Sequence, residues 1–104
     1  MIIVTSETIA NTKIVRTLGL VRGNTVRARH IGKDIMAGLR NIVGGEVHEY
    51  AKLIAEAREQ SLDRMVAEAE SLGANAIIAT RFTTSVMMGG AAELLAIGTA
   101  VIIE

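Results

Sequence analysis

The spacing of apolar residues changes along the chain, and each change predicts a new element. Residues 1–29 are rich in Ile, Val and Thr, which favour strands. We predict a short strand at 2–4 and a longer one at about 13–29. Gly19 and Gly23 lie inside the longer strand, where glycine typically marks a bend or a bulge.

Helical spacing follows in two stretches. The first, between 31 and 43, predicts a short amphipathic helix from six apolar positions: Ile31, Ile35, Met36, Leu39, Ile42 and Val43. A second apolar series on one side of a 3.6-residue period predicts a longer helix at about 47–72. Gly44 and Gly45 separate the two helices, and Gly73 is a natural left-handed stop for the second.

The last third of the chain returns to strand composition. "GANAIIATRF" predicts a strand, and after the loop "MMGGAAE" a final strand is expected at about 93–103. The predicted order is therefore ββααββ, in one domain that spans residues 1–104.

The final strand also predicts self-association. "LLAIGTAVII" is almost continuously apolar instead of alternating, so both of its faces favour burial. One helical layer covers only one face of a small sheet, and we therefore expect a homo-oligomer. The alternative is a central strand that the two predicted helices cover from both sides.

Composition narrows the function classes. Basic and acidic residues balance at 11 each, so no net charge attracts the protein to nucleic acid or to an anionic membrane. The arginines of the long strand have no aromatic residues among them on which bases would stack. The start of the chain lacks a secretory signal, and no apolar run is long enough to insert in a membrane. We expect a cytoplasmic protein, and the complete absence of cysteine fits that compartment.

Three stretches resemble the signature sequences of a known family: "GKDIMAGLRNIVGGE", "LGANAIIATRF" and "AIGTAVII". They are similar to the YbjQ-like family of small bacterial and archaeal proteins, provisionally labelled heavy-metal-binding, and the similarity covers nearly the whole chain. This resemblance implies an α+β fold of the dodecin-like group, with two helices packed on an antiparallel sheet, and a ring-shaped homopentamer. It implies no established reaction or cofactor.

The metal label fits the residues poorly. Soft metals prefer thiolates and thioethers, and zinc also accepts imidazole. The chain has no cysteine, and its two histidines, His30 and His48, are far apart in sequence. Met87 and Met88 are adjacent, so on a strand their sulfur atoms would point to opposite faces, and the pair could chelate Cu⁺ only if the segment is a loop. We expect transition-metal binding, if present, to be weak and shared between chains.

Two departures from the family pattern also remove candidate ligands. Thr83 stands where an acidic residue often follows the strand phenylalanine, and Ile97 stands where an aromatic often precedes the last G-T-A. A symmetric ring can still build a site from one ligand per chain.

Four residues are candidates for ligand binding: Asp34, Arg40, Glu46 and His48. Asp34 and Arg40 are six residues apart on a helix and cannot pair with each other. They form either ordinary salt bridges or, for Arg40, an anchor for a carboxylate or phosphate. Glu46 is explained by the helix dipole at the start of the second helix, whereas His48 is either part of a plain corner or a ligand.

Catalytic patterns are missing from the sequence. The glycine pairs form neither G-x-G-x-x-G nor a P-loop, and no serine lies in a nucleophile-elbow pattern. The carboxylates of the long helix alternate with arginines, as on a solvated surface. We therefore expect a non-enzymatic oligomer that binds a metal ion or small anion between subunits or on a ring axis. The alternative is an assembly or adaptor protein with a protein partner.

Overall fold

The computed structural model describes residues 1–28, 45–86 and 91–104. These residues form four strands and one helix, in the order β1 (Ile2–Ile3), β2 (Ile14–Ala28), α1 (Gly45–Ser71), β3 (Ala76–Val86) and β4 (Ala91–Ile103). The long strand, the long helix and the last strand are confirmed, each within two residues of the predicted bounds. The short helix predicted at 31–43 lies outside the described residues.

The strands form a single mixed sheet in the order β1-β3-β4-β2. β4 is antiparallel to both neighbours, whereas β1 is parallel to β3. The prediction of an antiparallel sheet with two helices packed on it, in the order ββααββ, is therefore wrong for the described residues. Because α1 runs back along β2, the chain returns to the end of the sheet where β2 began. β3 must then start at that end and run in the same direction as β1 and β2.

α1 packs on β2 and β4 through a stripe of buried residues spaced four apart, which are Ala57, Ser61, Met65 and Ala69. A Cβ atom at Gly23 would overlap the carbonyl oxygen of Ser61 and the amide nitrogen of Met65. The helix and strand backbones therefore touch at Gly23. Gly23 does not mark a bulge, since its pairing with Ala96 is regular.

The other two glycine predictions are confirmed. Gly19 has a φ of 122° and follows a register shift between β2 and β4, as expected of a bulge. Gly73 has a φ of 86° and ends α1. Its amide donates to the carbonyl of Glu70 at 3.0 Å, and the amide of Ala74 donates to the carbonyl of Ala69 at 3.1 Å. These two bonds form a Schellman motif, in which glycine supplies the left-handed residue.

The core under α1 consists of small and aliphatic side chains with one polar contact inside it. The fully buried hydroxyl of Ser61 lies 3.0 Å from the hydroxyl oxygen of Thr25 and 3.0 Å from the carbonyl oxygen of Leu94. A carbonyl only accepts, so Ser61 donates to Leu94 and the hydroxyl of Thr25 can donate to Ser61. This arrangement satisfies both buried hydroxyl groups.

The molecule is elongated, with extents of 53 × 22 × 15 Å and a radius of gyration of 17.0 Å. A compact domain of this length has a radius of gyration of about 13 Å. One helix on one long sheet explains the difference, because the second face of the sheet has no layer over it among the described residues. Within the same residues, no helix is long and apolar enough to span a membrane.

Candidate functional site

The face of the sheet opposite α1, which we call the open face, is the candidate site. Along β4, residues 92, 94, 96, 98 and 100 are buried on the α1 side, and the residues between them are half-buried on the open face. Leu20 and Val26 of β2 are 62% and 50% exposed there. Within the described residues, α1 covers one face of the last strand, and no helix covers the open face.

Cross-strand register brings two arginines to one row of the open face. Arg22 of β2 and Arg81 of β3 both pair with Ile97 of β4, from opposite sides. Residues directly opposite each other in an antiparallel pair share a face, so the two arginines flank Ile97. Two strand spacings place their Cα atoms about 10 Å apart.

The described contacts of Arg22 and Arg81 are hydrogen bonds, and none of them joins a guanidinium to a carboxylate. Arg81 is held by two bonds from Nη1, to the carbonyl oxygens of Thr5 at 2.7 Å and Thr80 at 2.8 Å. Arg22 is exposed, and its backbone amide donates to Oε2 of Glu68. Guanidinium groups that carry no carboxylate partner are preferred binding groups for carboxylates and phosphates. The row therefore has the chemistry of an anion site.

The neighbouring rows add short polar groups around the apolar centre. Asn24 and Thr83 flank Leu95, and Val26 and Ser85 flank Glu93. Glu93 is the carboxylate that the described strands contribute to this face. Together, the open face carries two guanidinium groups, one carboxylate and several hydroxyl or amide groups on an apolar floor.

These groups do not fit a transition metal. No cluster of three or more His, Cys, Asp or Glu side chains forms within residues 1–28, 45–86 and 91–104. A single carboxylate is too few ligands, and two nearby positive charges oppose the binding of a cation. Any metal site of one chain would need ligands from a second copy or from outside these residues.

Two of the four residues predicted as ligands from the sequence lie outside the described residues. Asp34 and Arg40, together with His30, Met87 and Met88, lie outside the described residues. Glu46 and His48 belong to the first turn of α1, which packs on the opposite side of the sheet. A ligand role for these four candidates therefore stays a prediction.

The charged residues of α1 line a shallow, open groove of about 540 Å³ beside β2. In it, Nη2 of Arg27 donates to Oε1 of Gln60 at 3.1 Å. The other charged residues that line the groove have both signs: Lys52, Glu56, Glu59 and Asp63. Mixed charge and solvent exposure agree with the solvated surface predicted for this helix.

Sequence reasoning missed the pair formed by Arg22 and Arg81. The two residues are far apart in sequence, and their common row depends on the register of two strand pairs. A bulge between Ile78 and Arg81 shifts that register further. The sequence holds no local signal for such a juxtaposition.

Comparison with known proteins gives matches along the whole chain. Residues 1–104 match the YbjQ_1 family model, described as "Putative heavy-metal-binding". A UPF0145 protein from Methanosarcina acetivorans is 57% identical over 101 residues, which cover 97% of this chain and 95% of that protein. A UPF0145 protein from Dehalococcoides mccartyi is 58% identical over 104 residues, which cover both proteins completely.

One solved structure has the same overall course of the chain. It is a protein of unknown function of the DUF74 family from Pediococcus pentosaceus, with a TM-score of 0.68 and 16% sequence identity. The match covers 100% of this chain and 98% of that protein. At this identity the likeness concerns the fold alone.

Proposed function

This chain belongs to the YbjQ-like family, whose description is "Putative heavy-metal-binding", and from that premise we propose that it is a small homo-oligomeric binding protein. Copies meet through their open faces, and the ligand site is completed between them. The observation that carries this proposal is the open face itself, which combines exposed apolar residues with the arginine pair of Arg22 and Arg81. The protein acts by binding and not by catalysis.

Burial of apolar surface supports the assembly. Leu20 and Val26 are at least half exposed, and Leu95 and Ile97 are half-buried beside them. Each square ångström of apolar surface removed from water contributes about 25 cal/mol, so covering this strip stabilises an oligomer. We propose a ring of five, as the family resemblance implies, with the open faces turned toward the axis.

The side chains of the open face favour a small anion over a metal ion as the ligand. In a ring, the arginine pair is repeated once per copy, and the resulting positive field attracts carboxylates or phosphates. Burial between copies also strengthens these charge-assisted bonds, because it lowers the local dielectric constant. A heavy metal, the ligand class in the family description, would have to use other ligands.

Thermal unfolding with added ligands tests the proposal. A ligand that binds only the native state raises the unfolding temperature, and the rise grows with the logarithm of the ligand concentration once that exceeds the dissociation constant. Phosphate and citrate should stabilise the wild type, and this ligand-induced shift should be lost in Arg22→Gln and in Arg81→Gln. Arg58→Gln is the matched control, since Arg58 is an exposed arginine of α1 on the other side of the sheet.

The same panel, extended to Zn²⁺, Ni²⁺ and Cu⁺, separates the ligand classes. Stabilisation by a metal alone, unchanged in Arg22→Gln and Arg81→Gln, would contradict the anion proposal and favour the family description. No shift with any ligand, together with a stoichiometric protein partner in a pull-down, would favour the assembly or adaptor alternative.

A further inference from the structure

The two long edges of the sheet differ in how they are protected, and side chains of α1 contact the outer edge of β2 at Arg22 and Asn24. Nη1 of Arg64 donates to the carbonyl oxygen of Asn24 at 2.6 Å. The backbone amide of Arg22 donates to Oε2 of Glu68 at 3.4 Å. Side chains of α1 thus occupy edge groups that another strand would need for pairing.

The outer edge of β3 is covered only in its first half. The amides of Ala79 and Thr80 donate to the carbonyl oxygens of Ser6 and Val4, at 2.8 and 3.1 Å. From Arg81 to Val86, every residue is exposed, and no strand of the described ranges pairs with this edge. The segment contains no Lys, Pro or acidic residue of the kind that usually protects an edge. Val86 is 79% exposed.

The side chains of this edge alternate between the two faces of the sheet. Phe82, Thr84 and Val86 pair with Ala96, Leu94 and Ala92 of β4, respectively, and therefore lie on the α1 side. Thr83 and Ser85 pair with Leu95 and Glu93 and lie on the open face. α1 does not reach over this part of β3, which leaves the aromatic and aliphatic side chains in solvent.

We propose that this edge pairs with the same edge of a second copy, antiparallel, about a twofold axis at Thr84. In this register, Phe82 lies opposite Val86 of the partner subunit, which is a favourable aromatic and β-branched pair. Thr83 lies opposite Ser85 of the partner subunit, a hydroxyl pair, and no charge meets a like charge. Charge and side-chain chemistry are therefore self-complementary.

Other registers are worse. A shift of two residues places Phe82 or Val86 opposite a threonine and leaves one end of the edge unpaired. A shift of one residue would put α1 of the two copies on opposite faces of the joined sheet. It would also place each apolar residue of the edge opposite a polar one. Pairing about Thr84 keeps both helices on one side and continues the sheet across the two copies.

The contact area determines how strong this pairing is. Five paired residues bury less than the roughly 800 Å² per partner of a stable protein interface. One such contact between two single chains is therefore weak. Several such contacts formed at once, as between two rings, hold the copies together strongly. In that respect the strength of the contact rests on the proposed assembly, but its register does not.

Cysteine crosslinking tests the register directly, because the chain has no cysteine of its own. Disulfides need Cβ atoms within about 4.5 Å, so Thr84→Cys should form an intermolecular disulfide at least about tenfold faster than Thr83→Cys or Ser85→Cys. Mixing the Thr83→Cys and Ser85→Cys proteins should restore fast crosslinking between the two. Equal rates for all three single variants would overturn the proposal, as would fast self-crosslinking of Thr83→Cys or Ser85→Cys.

A charge on the axis gives a second test. Thr84→Lys puts like charges opposite each other and should halve the mass measured by native mass spectrometry, whereas Ala67→Lys, at an exposed position of α1, should leave it unchanged. An unchanged mass for Thr84→Lys, or a different protein crosslinked to Thr84→Cys, would refute the pairing. Leu20→Glu disrupts the open face and should lower the mass, but the disulfide should still form at position 84. Assembly through the open face and pairing of the β3 edge can therefore fail independently of each other.

Discussion

Gly23 sets how closely α1 approaches the sheet. A methyl group there would overlap backbone atoms of Ser61 and Met65, which cannot rotate away as a flexible side chain would. We expect Gly23→Ala to lower the free energy of unfolding by about 1–3 kcal/mol through overpacking. Denaturant melts measure this loss. Asn24→Ala is the control, since Asn24 is exposed and uses only its backbone in contact with α1; an equal loss in both variants would contradict the close contact.

Thr80 and Thr25 are two buried threonines, and we expect their replacement by valine to change stability in different ways. Thr80 is 3% exposed, and its hydroxyl has no hydrogen-bond partner among the described residues. Thr25 is equally buried, but its hydroxyl pairs with Ser61. Because an unsatisfied buried hydroxyl costs about 1–3 kcal/mol, Thr80→Val should leave stability unchanged or raise it.

Thr25→Val is the matched comparison, since it leaves Ser61 with one bond fewer. It should lower the free energy of unfolding by about 1 kcal/mol. Both substitutions are read from the same denaturant melts. A large loss in Thr80→Val would mean that its hydroxyl is bonded, and the assignment of an orphaned group would be wrong.

The sequence predicted the roles of those residues whose function depends on their immediate neighbours in the chain. Gly19 and Gly73 have positive φ, a property that depends on the adjacent turn and is readable from neighbouring residues. Gly23 is glycine for a different reason, a tertiary contact 38 or more residues away, and its role could not be predicted. The same holds for Arg22 and Arg81, which meet only through strand register.

At the scale of elements, periodicity predicted bounds but not directions. The bounds of β2, α1 and β4 follow from local hydrophobic patterns, which short stretches determine. Whether strands run parallel depends on where α1 returns the chain, and no local pattern records that. The predicted antiparallel sheet was wrong for this reason.

The closure of the β2 edge by α1 leads to a prediction on aggregation. The double variant Arg64→Ala and Glu68→Ala removes the side chains that contact the edge at Asn24 and Arg22. An open edge of this length recruits other strands, so the variant should aggregate faster near its unfolding midpoint, as light scattering would show.

The control for this experiment is Arg58→Ala with Glu59→Ala. It removes the same charges from exposed positions of the same helix. Aggregation that rises equally in both double variants would point to lost charge and not to the edge. In that case the protective role of the two side chains would be refuted.

At the scale of the whole molecule, the family was readable from three stretches of sequence, and the match over residues 1–104 confirms it. The last strand indicated apolar residues on both of its faces, and among the described residues α1 covers one face of β4. The number of copies is not encoded in any single strand, because it depends on the angle at which neighbouring subunits meet. The ring of five therefore stays a prediction.

Assembly through the open face is the central claim, and native mass spectrometry at micromolar concentration tests it most directly. In the wild type, each ring should hold five copies of the 11.0 kDa chain, about 55 kDa, and edge pairing should join two such rings, which doubles this mass. Leu20→Glu should release smaller species, because a charge would be buried in the contact. Leu72→Glu, at an exposed leucine beyond the end of α1, should keep the wild-type mass. A wild type that is monomeric, or a Leu20→Glu variant that retains the full assembly, would contradict the account.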